Sequence, residues 1–81
     1  MIQVHVQLFG AFRAHGDRVA LAIRKHGCIA DVRAALLSRL GAERAQLLAQ
    51  SRFANANTIL AENAPVANGA ALAILPPVSG G

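Results

Sequence analysis

The pattern of apolar residues changes period partway along this chain, and that change restricts the fold more than any other feature. Ile2, Val4, Val6 and Leu8 alternate with Gln3, His5 and Gln7, the signature of a half-buried strand. Val19, Leu21 and Ile23 alternate in the same way with Ala20, Ala22 and Arg24. Gly10 to Asp17, with two glycines, reads as the connection, so the two runs are expected to form an antiparallel hairpin. From Ile29 the spacing lengthens. Ile29, Val32, Leu36 and Leu40 fall on one stripe, with Leu37 beside it and Arg33 and Arg39 off it. That is an amphipathic helix of about three turns. Gly41 suits a left-handed C-cap, Cys28 takes the N-cap position, and Asp31 places a negative charge in the first turn. A further short helix is expected within 42–49.

The rest reads as short strands. Arg52 to Asn55 and Thr58 to Leu60 flank turn residues, and Asn68-Gly69 is a strong turn signal. Ala71 to Leu75 is a final strand, with Leu72 and Ile74 expected toward the helix and Leu75 away from it. Pro76-Pro77 ends it, because proline has no N–H for a ladder. Strand, strand, helix, short strands and last strand make an α+β domain. Its mixed sheet should carry the first and last strands side by side in the middle, a β-grasp.

Composition limits the function classes. The 81 residues make one domain, 54% hydrophobic and 15% charged, which is globular rather than disordered. Eight Lys and Arg against four Asp and Glu leave a net charge of +4. A basic balance permits an acidic partner, but no nucleic-acid motif or run of stacking aromatics accompanies it, so no nucleic acid is expected. Arg33, Arg39, Arg44 and Arg52 read as solvated surface. His5, His15 and His26 lack metal-ligand spacing, and the one cysteine cannot complete a site or an internal disulfide, so no metal is expected. Cys28 reads as a half-buried small residue, and the GxxxxGK[ST] phosphate loop is absent. No apolar run reaches the ~20 residues of a membrane span, and the start lacks a signal-peptide pattern. No membrane partner and a cytoplasmic location are expected.

The end of the sequence, Leu75-Pro76-Pro77-Val78-Ser79-Gly80-Gly81, carries the most chemistry. Two prolines restrict the backbone, and two glycines then remove every side chain. Such an end can enter a narrow tunnel, where the Gly81 carboxylate is the one reactive group. Ser79 has no base at motif spacing and reads as part of the tail.

These residues resemble the sulfur-carrier (small) subunit of molybdopterin synthase, a ubiquitin-like sulfur-carrier family. Leu8-Phe9-Gly10-Ala11-Phe12-Arg13 resembles its strand-end Phe-Ala…Arg motif, and Cys28-Ile29-Ala30-Asp31-Val32-Arg33 its Thr-Val-x-Asp-Leu-Arg helix start. Asn55, Pro65-Val66 and Gly69 fall where the family keeps an Asn, a Pro-Leu and a Gly-Asp-Glu turn. The resemblance spans essentially the whole chain. It implies a β-grasp domain over 1–75 and a flexible, extended Gly-Gly tail over 76–81.

It also implies a cycle. An E1-like enzyme uses ATP to adenylate Gly81, sulfur replaces the adenylate, and the resulting thiocarboxylate is donated in the large synthase subunit to build the dithiolene of molybdopterin. On that reading this chain donates sulfur as a non-catalytic subunit. It binds no cofactor itself; ATP is used by the activating partner. Ile59 and Leu75 are the expected apolar anchors for the partner, and Phe53 is added as a third. Alternatives are a carrier for thiamine or another sulfur pathway, and a ubiquitin-like modifier joined through Gly81 to a target lysine. Three departures stand out. Ala70 and Ala71 replace the family's acidic pair, Cys28 replaces its capping Thr, and the chain is basic where the family is often acidic.

Overall fold

The computed structural model describes residues 1–77. Strand β1 (Ile2–Leu8) pairs antiparallel with β2 (Arg18–Ile23), with Val4 opposite Leu21 and Val6 opposite Val19. Helix α1 (Ile29–Leu40) follows, then a 3-10 turn over Ala42–Arg44 and helix α2 (Ala45–Ala49). The short strands are β3 (Arg52–Ala54) and β4 (Ile59–Leu60), and β5 (Ala71–Leu75) closes the described chain. The sheet order is β2-β1-β5-β3-β4. β5 lies parallel to β1 and antiparallel to β3, so the last strand occupies the centre as expected.

Helix α1 buries Ile29, Val32, Leu36 and Leu40, the stripe read from the sequence. They pack on the inward row Leu8, Ile74, Phe53 and Leu60, and on Val4, Val6, Leu21 and Leu72. The segment after β1 is more than a connection. It winds into a 3-10 turn over Gly10–His15 that drives Phe12 fully into the core. Gly41 follows α1 with φ 102° and ψ 158°, a glycine conformation outside the left-handed helical well expected for a C-cap. Its amide still donates to the Leu37 carbonyl at 2.8 Å.

Both ends of α1 need partners for exposed backbone groups. At the N-terminus the Cys28 amide donates to the Asp31 carboxylate at 2.8 Å. The Ile29 and Ala30 amides donate to the carbonyls of Ala64 and Glu62, in the loop returning from β4. Arg33 then binds that loop from the side. Its Nε and Nη2 donate to the two Glu62 oxygens at 2.9 and 2.7 Å, and its Nη1 donates to the Leu48 carbonyl. The guanidinium also lies over the Phe53 ring, 5.2 Å from its centroid. Arg33 is therefore a clamp with a side chain 20% exposed, not the solvated arginine its off-stripe position implied.

Candidate functional site

The candidate site is the end of β5 and the sheet face beside it. Register decides which side chains stand there. Arg52 pairs with Leu75, Phe53 with Ile74, and Ala54 with Ala73. Ile74 and Phe53 face α1; Leu75, Ala73, Arg52 and Ala54 face away. Leu75 is half-buried and Ile59 is 56% exposed, so both stand on the outer face. Phe53 does not. It is fully buried in the core, which removes it as a docking anchor. The reason is the period of two: in a three-residue strand, the middle side chain is turned opposite to its neighbours, and here it is the aromatic that faces the helix.

From Leu75 the chain passes into Pro76, which is half-buried, and Pro77, which is exposed. Pro76 rests against Gly10, at the turn leaving β1. Gly10 has φ +58°, and a Cβ built there would stand 2.7 Å from the Pro76 Cγ. A bare α-carbon thus lets the proline ring lie on the backbone where the tail departs. Val78, Ser79, Gly80 and Gly81, read from the sequence as the tail and its reacting end, lie outside the described residues.

One row of outer-face side chains crosses all five strands: Arg18, Gln7, Ala73, Ala54 and Ile59. Ala20, His5 and Ala71 form the row beside it. Sequence reading turned Ala20 and Ala22 outward but did not place Ala20 in one row with Ala71 across His5, or Ala73 beside Ala54. The missing signal was register between strands far apart in the chain, although the small residues themselves were visible.

Among the described residues, three of the four acids form ion pairs. Asp17 is bound by Arg13 at 2.9 Å, Asp31 by Arg24 at 3.1 Å, and Glu62 by Arg33 at 2.7 Å. The Cys28 amide and then Arg24 hold the Asp31 carboxyl below its ordinary value, and Arg33 does the same for Glu62, helped weakly by Arg52. His15 accepts from Arg44 at 3.1 Å. No group of three or more His, Cys, Asp or Glu that could hold a metal occurs among the described residues. Among them, no helix is long and apolar enough to cross a membrane.

No protein-family profile matches the chain, and no curated protein matches it by sequence. Solved structures do. SAMP1 from Haloferax volcanii aligns with a TM-score of 0.74 at 24% identity, covering 98% of this chain and 99% of that one. A structure described as small archaeal modifier protein 1 of H. volcanii aligns with a TM-score of 0.83 at 18% identity, covering 96% of this chain and 100% of that one. At these identities the likeness is one of fold, and it agrees with the strand order and the helix packed across the sheet. The domain is a ubiquitin-like β-grasp.

Proposed function

We propose that this chain is a sulfur carrier whose Gly81 carboxylate is activated by an E1-like enzyme and converted to a thiocarboxylate, serving as the small subunit of molybdopterin synthase. One observation carries the reading. The central strand β5 runs without interruption into Pro76, seated on Gly10, and then Pro77, with Gly80-Gly81 just beyond in the sequence. A central strand is held on both sides, so it delivers the segment after it from a fixed point.

The chemistry proposed for Gly81 is simple. A carboxylate oxygen attacks the α-phosphorus of ATP and pyrophosphate leaves. The outer sulfur of a persulfide supplied by the sulfur donor then displaces AMP from the acyl carbon, and a thiol cleaves the resulting S–S bond, leaving the thiocarboxylate at Gly81 and a disulfide on the donor side. In the large synthase subunit that sulfur is donated to the molybdopterin precursor to build the dithiolene. In this scheme the chain presents the group, and the partners supply the ATP site and the catalytic side chains.

A second reading draws on what the structural neighbours are called: a modifier would pass activated Gly81 to a lysine amine instead of to sulfur. One experiment separates the two. The full-length chain is incubated with ATP, an E1-like enzyme and a sulfur donor, with and without candidate target proteins, and followed by intact mass. The carrier reading expects one O-to-S exchange localised to Gly81, absent when Gly81 is deleted or extended by one residue. Isopeptide conjugates without that exchange would favour the modifier. An extended chain that still exchanges, untrimmed, would sink both.

A further inference from the structure

The outer face of the sheet is built from small side chains at its centre and cations at its rim. Ala71, Ala73, Ala54 and Ala56 floor a shallow trough between Gln7 and Asn55. His5, Gln7 and Arg18 line the adjoining depression toward β2. Ile59 stands at the far end of the row, 56% exposed. Arg52 flanks Leu75 where the tail departs. No carboxylate stands in either row. Of the four acids, Asp17, Asp31 and Glu62 are held by Arg13, Arg24 and Arg33, and Glu43 lies in the 3-10 turn after α1. Arg18 makes no ion pair among the described residues, and Arg52 only adds a weak pull on Glu62.

Alanine loses no side-chain freedom when covered, so an alanine floor is inexpensive to bury. A cationic rim without its own carboxylates gains only from a partner that brings them. Nucleic acid would also supply negative charge, but the two rows hold no Phe, Tyr or Trp, and His5 offers a single small ring where a strand-binding surface stacks successive bases. We infer that this face takes an acidic protein surface: an apolar segment of the partner lies in the alanine trough, and its carboxylates meet Arg18, His5 and Gln7. The carrier reading supplies the purpose of that contact, since the tail leaves from Leu75 on the same face. The docking chemistry departs from the basic partner surface expected of an acidic small subunit.

The test reads binding apart from sulfur chemistry. The isotope-labelled full-length chain is titrated, by amide shifts, with a short synthetic peptide of alternating Glu and Leu. Its Lys and Leu counterpart and a single-stranded DNA oligonucleotide of equal charge serve as comparisons. The acidic peptide should shift Gln7, Arg18, Ala54 and Ala73, and the lysine peptide should not. Arg18→Glu should weaken binding about tenfold, while Lys25→Glu, off the face, leaves it near the wild-type value. With an E1-like enzyme, Arg18→Glu should raise KM and spare kcat. Shifts confined to α1, no shifts, an indifferent Arg18→Glu, or DNA binding the face as tightly as the acidic peptide would each overturn the inference. Peptide binding at this face with no activation of Gly81 would support it and sink the carrier reading alone.

Discussion

At the scale of single residues, Gly10 and Pro76 show how one missing side chain lets two distant segments of the chain meet. Two effects converge on Gly10. Its φ of +58° disfavours any Cβ, and a Cβ would also strike the Pro76 ring at 2.7 Å. Left-handed strain alone costs an alanine about 1–2 kcal/mol. For a domain this small, each kcal/mol lowers Tm by about 4–8 °C. Gly10→Ala should therefore melt well below the wild type. Gly10→Asn separates the causes, because asparagine tolerates the left-handed region but keeps the Cβ. If the ring contact matters, Asn recovers only part of the loss, and adding Pro76→Ala recovers more. Equal melting of Gly10→Asn and wild type would show that strain is the whole effect. The sequence marks Gly10 as a turn residue and nothing more, because its neighbour in space stands at the other end of the chain.

Among the elements, α1 is held at both faces by different means. Its buried stripe was legible, since four apolar residues at helical spacing leave little choice of face. The Arg33 clamp was not. Both its partners, Glu62 and the Leu48 carbonyl, sit in segments whose placement depends on the finished fold. Arg33→Lys keeps the charge but loses the forked geometry. Allowing for the half-exposed Glu62, it should cost about 1–2 kcal/mol. The same contacts predict a pH dependence. Asp31 and Glu62 titrate below their ordinary 3.8 and 4.5 in the folded chain. The unfolded chain therefore takes up these protons first as pH falls. Their contribution is complete above about pH 5 and is lost through pH 4 and below. Melting followed from neutral pH to pH 3 should decline over that window. Glu62→Gln should start lower and decline less; an unchanged decline in that variant would remove Glu62 from the account.

For the whole molecule, the period change from two to 3.6 was enough to order the elements, while the central place of β5 rested on the family resemblance as well as on the pattern. What sequence could not settle was the face of a three-residue strand. Alternation along its strand already turned Leu75 outward, but nothing comparable told Phe53 from Ile59, and the register separates them: Phe53 under the helix, Ile59 outside with Leu75. That separation makes a decisive comparison, because one partner-binding assay and one melting assay must disagree in opposite directions. Phe53→Ala empties a fully buried site and should cost about 3–5 kcal/mol of stability. Ile59→Glu and Leu75→Glu leave the core filled, so melting should change little, and less for Ile59, the more exposed of the two. A docking anchor is worth about 2 kcal/mol of binding, a weakening of roughly thirtyfold. If the chain is the proposed carrier, Ile59→Glu and Leu75→Glu should lose that much against a large synthase subunit while keeping their fold. If Leu75→Glu instead melts as early as Phe53→Ala, Leu75 serves the core edge and the tail loses its neighbouring anchor. If both carriers bind normally, the partner does not use this face at all, and the arginines outside it become the surface to test.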